Sequence, residues 1–168
     1  MRVKEIVILA LLTTILIVQE QILAILPNIQ LTFLLIFLYT KVLGFKKSVI
    51  IISIYVVIDC LINSSLGLAT IIPMFIGWQL IPLTLCTVAK KLNSATSLAI
   101  LSIPLSIAYA LCFAVAVVIV GQIPIREYLI ADIPFTLVLA LSSFLTIWWL
   151  YSPMYKFLNN LHHNTLKK

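Results

Sequence analysis

Glycine and charged residues are scarce in this chain. The chain has four glycines among its 168 residues. Charged residues make up 10% of the chain, against about 25% in an average soluble domain. A phosphate-cradling loop needs closely spaced glycines. Neither G-x-x-x-x-G-K-[ST] nor the hydrolase motifs H-E-x-x-H and G-x-S-x-G occur. The sequence therefore gives no support to nucleotide-binding or hydrolytic functions, and we expect that the chain is not an enzyme.

Cysteine is also rare. Cys60, Cys86 and Cys112 lie in separate apolar stretches and form no C-x-x-C pair, so neither a disulfide framework nor a zinc site is expected. His162 and His163 are adjacent on a polar tail and have no partner at ligand spacing. We therefore expect the cysteines to be small packing residues, and we expect neither a metal nor a cofactor.

Apolar residues are abundant instead. They make up 63% of the chain, and the mean hydropathy is +1.22. A helix of about 20 such residues crosses the roughly 30 Å hydrocarbon core of a bilayer. We predict an all-α integral membrane protein, a six-transmembrane-helix bundle that forms one membrane domain over residues 1–168. The predicted spans cover about residues 6–25, 29–43, 48–62, 66–88, 96–120 and 134–151.

The segments around these spans carry further signals. Gln19, Glu20 and Gln21 precede Pro27, and proline disfavours helix at the residue before it. Polar groups at such a break are costly in lipid unless they face protein or water, so we interpret residues 19–32 as the rim of a pocket. Gly44 predicts a helix end. Residues 73–82, with a proline at each end, predict a locally broken fourth span. Residues 121–133 predict a polar loop, and residues 152–168 predict a polar tail at the membrane surface.

Basic residues fall on one side of the predicted bundle. The formal net charge is +6, but the charges form short clusters between apolar stretches, so we expect a lipid bilayer and no nucleic acid as partner. Threading six spans puts ten of the eleven Lys and Arg residues on one side and leaves Arg126 alone on the other. By the positive-inside rule both termini are cytoplasmic.

Acidic and amide side chains concentrate on the opposite, outer side. Four of the five acids fall there: Glu20, Asp59, Glu127 and Asp132. So do six amides: Gln19, Gln21, Asn28, Gln30, Asn63 and Gln122. This distribution predicts an outward-facing polar pocket. Because Arg126 is the only basic residue on that side, a neutral or cationic ligand is favoured over a polyanion.

Eight residues are candidates for the substrate-binding site: Glu20, Asn28, Gln30, Asp59, Asn63, Trp78, Gln79 and Arg126. An ionisable residue in an apolar helix indicates function, and amides suit a neutral heteroaromatic ligand. Trp78 offers a stacking face, and Phe135 and Tyr128 are further rings that suit a ligand with a ring system. Asp59 and Asn63 are one turn apart and should share a helix face. Plainer interpretations stay open: Asp59 as a solvated acid or as the ion-pair partner of Arg126, the amides as loop caps, and Trp78 as a packing residue. Trp148 and Trp149 fit an aromatic belt.

Three stretches of the chain resemble a known family. They are residues 26–32 (Leu-Pro-Asn-Ile-Gln-Leu-Thr) followed by 34–39 (Leu-Leu-Ile-Phe-Leu-Tyr); 73–82 (Pro-Met-Phe-Ile-Gly-Trp-Gln-Leu-Ile-Pro); and 131–135 (Ala-Asp-Ile-Pro-Phe) leading to 142–151 (Ser-Ser-Phe-Leu-Thr-Ile-Trp-Trp-Leu-Tyr). Together with the six-span layout they resemble the substrate-binding S components of the energy-coupling factor (ECF) vitamin transporters of bacteria.

The resemblance implies a multi-pass protein of the bacterial plasma membrane. Such a protein binds a vitamin or related micronutrient, for example a cobalamin, thiamine-like or pyridoxine-like compound, and docks on an ECF T component that two ATPase subunits drive. S components commonly carry A-x-x-x-A in the first helix, where the T component packs closely. Here the docking candidates are Ala10 and Thr14, so the second alanine is absent. Small residues four apart also suit packing within the chain's own bundle, which is the alternative.

Two other functions compete with transport by such a complex. Asp59, followed eight residues later by Gly67 and Leu68, is similar to the junction of the third and fourth spans in the MreD family of cell-shape proteins, which are structural membrane scaffolds. An autonomous channel or secondary transporter would usually show internal repeats or midplane charges, and the sequence shows neither. A co-purified small molecule separates these functions, since a scaffold should carry none.

Overall fold

The computed structural model describes residues 3–26, 28–63, 67–121 and 124–166, except for the side chains of 68, 69, 120 and 162–166. Predicted features at Arg2, Pro27, Gln122 and the imidazoles of His162 and His163 therefore lie outside the described residues. The regular secondary structure of the described chain is helical: α1 (Val3–Leu23), α2 (Thr32–Leu43), α3 (Phe45–Ile62), α4 (Leu68–Cys86), α5 (Ala95–Gly121) and α6 (Ile125–Leu166). The prediction of an all-α protein is confirmed over these residues.

Three of the helices are long and apolar enough to cross a membrane. They are α1, the part of α5 up to Ile119 and the part of α6 up to Leu161. α2 and α4 contain shorter apolar helices, and α3 carries Lys46, Lys47 and Asp59 within its apolar sequence. The prediction of membrane-spanning helices is thus confirmed for α1, α5 and α6 by length and composition.

α2 lies at the centre of the bundle. Every residue from Thr32 to Thr40 is buried, and the helix contacts α1, α3, α4 and α6. The other five helices contact one another in the order α1, α3, α4, α5 and α6. A helix that is apolar on all sides suits such an enclosed place.

Contacts between distant segments define the two ends of the bundle. At one end, which we call the lysine end, Lys47 Nζ lies 3.2 Å from Glu5 Oε1. There Lys41 Nζ also donates to carbonyls of the α4–α5 connection, the closest being that of Leu92 at 2.6 Å. The opposite end, which we call the pocket end, contains the α1–α2, α3–α4 and α5–α6 connections. Consecutive helices are therefore antiparallel, as short connections favour.

Gly44 and Ser94 explain two of the helix boundaries. Gly44 has a φ of 82°, a conformation that favours glycine, and it separates α2 from α3 by a single residue. The predicted helix end at Gly44 is confirmed. Ser94 Oγ accepts a hydrogen bond from the backbone N–H of Ser97 at 3.1 Å and so caps the start of α5.

The start of α6 differs from the prediction. The sequence predicts a polar loop over residues 121–133, but α6 begins at Ile125. Charged residues give this segment the composition of a loop, whereas Tyr128, Leu129 and Asp132 recur at helical spacing and line cavities together with residues of α5. The predicted loop is therefore wrong from Ile125 onward, and this part of α6 contributes to the site described below.

Four prolines at or near which the sequence predicts a break or an end of a membrane span lie inside helices. Pro73 and Pro82 lie inside α4, and Pro134 and Pro153 lie inside α6. Each proline removes one backbone hydrogen bond, and neighbouring helices compensate for this loss in membrane proteins. The predicted break in the fourth span is therefore wrong, and the segment after Ser152 continues α6.

Candidate functional site

A cavity of about 200 Å³ lies at the pocket end of the bundle. The described residues that line it belong to the α1–α2 connection, α5 and α6: Asn28, Tyr109, Ala110, Phe113, Tyr128, Asp132, Phe135, Thr136 and Leu139. Four of them are aromatic, and the others include a carboxylate, an amide and a hydroxyl. Ring faces combined with a few polar groups are typical of a small-molecule site.

Tyr109 joins the cavity to the aromatic core. Its ring centroid lies 4.4 Å from that of Trp78 and 5.2 Å from that of Phe113. Trp78 is fully buried, and its centroid lies 5.0 Å from that of Phe33. Trp78 therefore supports the cavity wall from behind, in agreement with its interpretation as a packing residue, and its Nε1 has no hydrogen-bond partner in the described part of the chain.

Asp132 and Asn28 supply polar groups to the lining. Thr136 Oγ1 donates to Asp132 Oδ2 at 2.6 Å, one turn along α6. Asn28 has a φ of 60°, a left-handed conformation in which Asn is enriched. Its Nδ2 donates to the carbonyl oxygen of Phe135 at 3.2 Å. The Asn28 amide thus ties the α1–α2 connection to α6 beside the cavity.

A chain of amide contacts orders the rest of the α1–α2 connection. Gln19 Nε2 donates to Thr32 Oγ1 at 2.7 Å, and Gln19 Oε1 accepts from the backbone N–H of Leu31 at 3.0 Å. Thr32 donates to Gln30 Oε1 at 3.1 Å, and the backbone N–H of Gln30 donates to Ser142 Oγ at 3.3 Å. Gln30 therefore holds the connection against α6 and does not line the cavity.

Two of the predicted acids belong to a separate cluster between α1 and α3. We call it the acid cluster, and it consists of Glu20, Gln21, Tyr55, Asp59 and Asn63. The Tyr55 hydroxyl donates to Glu20 Oε2. Asp59 Oδ1 accepts from Asn63 Nδ2 at 2.8 Å and from Gln21 Nε2 at 3.4 Å. The shared helix face of Asp59 and Asn63 is thus confirmed, and neither residue lines the cavity.

Arg126 and Gln79 lie away from the cavity lining. Arg126 is exposed in the first turn of α6, and within the described residues it forms no ion pair with Asp59. The interpretation of Asp59 as the ion-pair partner of Arg126 is therefore wrong. Gln79 faces α3, where its Nε2 donates to the carbonyl of Val49 at 3.3 Å and to Ser53 Oγ at 3.4 Å.

Most of the cavity-lining residues are absent from the eight site candidates, although the rings of Tyr128 and Phe135, which the sequence offers to a ring-shaped ligand, do line the cavity. Of the eight candidates, Asn28 is the one that lines it. A signal for the others exists, because Tyr128, Asp132 and Phe135 recur at i, i+4 and i+7 and so share one helix face. The predicted loop over residues 121–133 concealed this periodicity. Tyr109 gives no comparable signal, since it lies in an apolar helix that has no distinct polar face.

An apolar groove of about 300 Å³ adjoins the cavity between α5 and α6. It shares Ala110, Asp132 and Thr136 with the cavity lining. Its other lining residues are aliphatic: Ile103, Ile107, Leu111, Leu129, Ile133, Leu137 and Ala140. Asp132 thus lies between aromatic rings on one side and aliphatic side chains on the other.

Ala10 and Thr14 lie on the outer surface of α1. Both are exposed, and Thr14 Oγ1 donates to the carbonyl of Ala10 at 2.9 Å. Leu11 and Ile15 are exposed on the same helix. The alternative in which Ala10 and Thr14 pack within the chain's own bundle is therefore wrong, and this surface is available to lipid or to another protein.

The candidate site contains no metal-binding arrangement: among the described residues, no three His, Cys, Asp or Glu side chains come together where an ion could be held. Its chemistry is that of reversible binding by ring faces, a carboxylate and an amide. Comparison with family models, curated proteins and solved structures finds no match to this chain.

Proposed function

We propose that this chain is the substrate-binding membrane subunit of an ECF-type importer, which captures a vitamin-like micronutrient from outside the cell. The observation that carries the proposal is the cavity of about 200 Å³ at the pocket end, with its four aromatic rings and a few polar groups. The 168 residues contain no G-x-x-x-x-G-K-[ST] motif. The proposal therefore assigns the supply of energy to partners, a T component and two ATPase subunits.

The proposal includes six membrane spans with both termini in the cytoplasm of a bacterial cell. The concentration of lysines at the lysine end supports this orientation through the positive-inside rule. The pocket end then faces outward, and the cavity is reached from the side on which the nutrient arrives.

The exposed surface of α1 supports docking on the T component. Ala10 and Thr14 are small and face away from the bundle, and small residues at this spacing let membrane helices approach closely. The partner is thus a membrane helix that packs across α1, while the cavity is formed by α5, α6 and the α1–α2 connection.

Purification of the chain from its own cells, followed by mass spectrometry of the bound small molecule, tests the binding function. We expect one vitamin-like compound in near-stoichiometric amount, and ATP-driven uptake of that compound when the T component and ATPases are present in proteoliposomes. A chain that carries no small molecule and supports no uptake would instead favour a structural scaffold of the MreD kind.

Ala10→Trp tests the docking surface. We expect it to abolish co-purification with a tagged T component and ATP-driven uptake, because an indole prevents close approach of helices. Ligand affinity of the isolated chain should change by no more than about twofold, as for other surface substitutions. Leu141→Trp, at an exposed position of α6, is the control and should retain assembly. Normal uptake by Ala10→Trp would show that docking uses another surface.

A further inference from the structure

The Asp132 carboxylate has no cationic ion-pair partner within the described residues. It accepts a hydrogen bond from Thr136. Around it lie the rings of the cavity on one side and the aliphatic groove on the other. An ionised carboxylate among apolar groups is costly unless a cation compensates its charge.

The aromatic part of the lining favours the same ligand charge. The rings of Tyr109, Phe113, Tyr128 and Phe135 line the cavity, and aromatic rings attract cations through their quadrupole. A hard metal ion would need six or so oxygen ligands, and the lining offers few oxygen atoms. Both the rings and the carboxylate of Asp132 therefore suit an organic cation.

We propose that the cavity binds a small organic cation, an alkylammonium or heteroaromatic cation, with Asp132 as its counter-ion and the aromatic rings around its charged group. The cavity of about 200 Å³ is smaller than the roughly 300–1,000 Å³ of pockets for drug-sized ligands, so the enclosed part of the ligand is small. This inference deepens the proposed function and rests on it for the claim that the bound cation is also the transported substrate.

Calorimetry on the purified chain, freed of any co-purified compound, tests the ligand class without the transport partners. The probes are choline and benzyltrimethylammonium, with dimethylbutanol as the uncharged isostere of choline and benzoate as an aromatic anion. We expect at least one ammonium probe to bind at least about tenfold more tightly than dimethylbutanol or benzoate, because cation–π contacts and the Asp132 charge act together.

Substitutions on α6 assign the binding to the cavity. Asp132→Asn should weaken ammonium binding at least about tenfold, while its amide oxygen still accepts the hydrogen bond from Thr136. Glu127→Gln is the matched control, since Glu127 is an exposed acid of the same helix outside the lining. Phe135→Leu should weaken ammonium binding by roughly threefold or more, whereas Phe157→Leu, at an exposed position outside the lining, should not. Melting temperatures of all four variants report folding.

The proposal is overturned if neither ammonium probe binds at millimolar concentration, if dimethylbutanol or benzoate binds as tightly, or if Asp132→Asn keeps the original affinity. If Asp132→Asn fails to fold, the affinities of the probe series and of Phe135→Leu test the proposal instead. The importer function is judged separately, by ATP-driven uptake with the T component. Uptake of an uncharged compound would support the importer function and contradict the proposal of an organic cation. Tight ammonium binding without uptake would support the organic cation and contradict the importer function.

Discussion

Tyr55 links the acid cluster to the aromatic core. Its side chain is fully buried on α3, its hydroxyl donates to Glu20 on α1, and its ring centroid lies 6.3 Å from that of Trp78. Trp78 in turn packs on Tyr109 of the cavity wall. Tyr55 thus connects α1 and α3 with Trp78, which packs behind the cavity wall.

Tyr55→Phe is expected to lower the free energy of unfolding by about 1–3 kcal/mol, because it removes the hydroxyl donor of the part-buried Glu20 carboxylate. Thermal unfolding in detergent micelles measures the effect. Tyr155→Phe is the control, since Tyr155 stacks on Tyr151 at a centroid distance of 5.6 Å and is not part of the acid cluster. Equal melting temperatures for the two variants would contradict this role of Tyr55.

At the residue scale, the sequence could predict contacts within a helix but not contacts between helices. The shared face of Asp59 and Asn63 follows from their spacing of four, and their contact at 2.8 Å confirms it. The partner of Glu20 is Tyr55, which lies 35 positions away. That pair depends on how whole helices pack, and no local pattern specifies it.

At Gly77, α4 lies close to the Tyr109 side chain of α5. A Cβ atom built on Gly77 would lie 2.6 Å from Tyr109 Cδ2, which is too short for a normal contact. The absence of a side chain at Gly77 therefore lets the Tyr109 ring take its place between Trp78 and Phe113. Small residues let membrane helices come close, and here the close approach sets one wall of the cavity.

Gly77→Ala is expected to destabilise the bundle by about 1–3 kcal/mol through overpacking and to weaken ligand binding by displacing the Tyr109 ring. Melting temperature and calorimetry measure the two effects. Gly67→Ala is the matched control, because a Cβ there meets no atom within 4 Å. The double variant Gly77→Ala/Tyr109→Leu should cost less than the sum of its single variants, since the shared clash is removed. If the destabilisations of the two single variants simply add in the double variant, a clash between the methyl group added at Gly77 and the Tyr109 ring is not the cause of the destabilisation.

At the element scale, the sequence could predict that the helices exist but not where α6 begins. Each helix contains an apolar stretch, and this pattern is local. Residues 125–133 mix charged and apolar side chains and suit either a loop or the polar end of a helix. In the structure Tyr128 and Asp132 line a cavity together with residues of α5, and such a relation between distant segments is not visible in a single segment.

The molecule as a whole has a basic end and an end that carries the cavity, and this asymmetry predicts its orientation. In a variant without Cys60, Cys86 and Cys112, we expect an impermeant thiol reagent to label Glu127→Cys but not Asn93→Cys in intact cells, because the pocket end faces outward. Both positions are exposed and should react after permeabilisation, which is the control. Labelling at Asn93→Cys in intact cells would contradict the six-span topology.

The enclosed position of α2 has a consequence for how the protein is made. α2 has 12 residues and is about 18 Å long, which is shorter than a hydrocarbon core of roughly 30 Å. In the proposed six-span topology it therefore crosses the membrane only together with the residues that flank it. The ribosome produces it second, whereas α4 and α6, which help to enclose it, follow later. In the proposed six-span topology α2 must therefore be retained during synthesis beside α1 and α3, or by the insertion machinery. α6, which is synthesised after α2 and contacts it, then helps to complete the enclosure of α2.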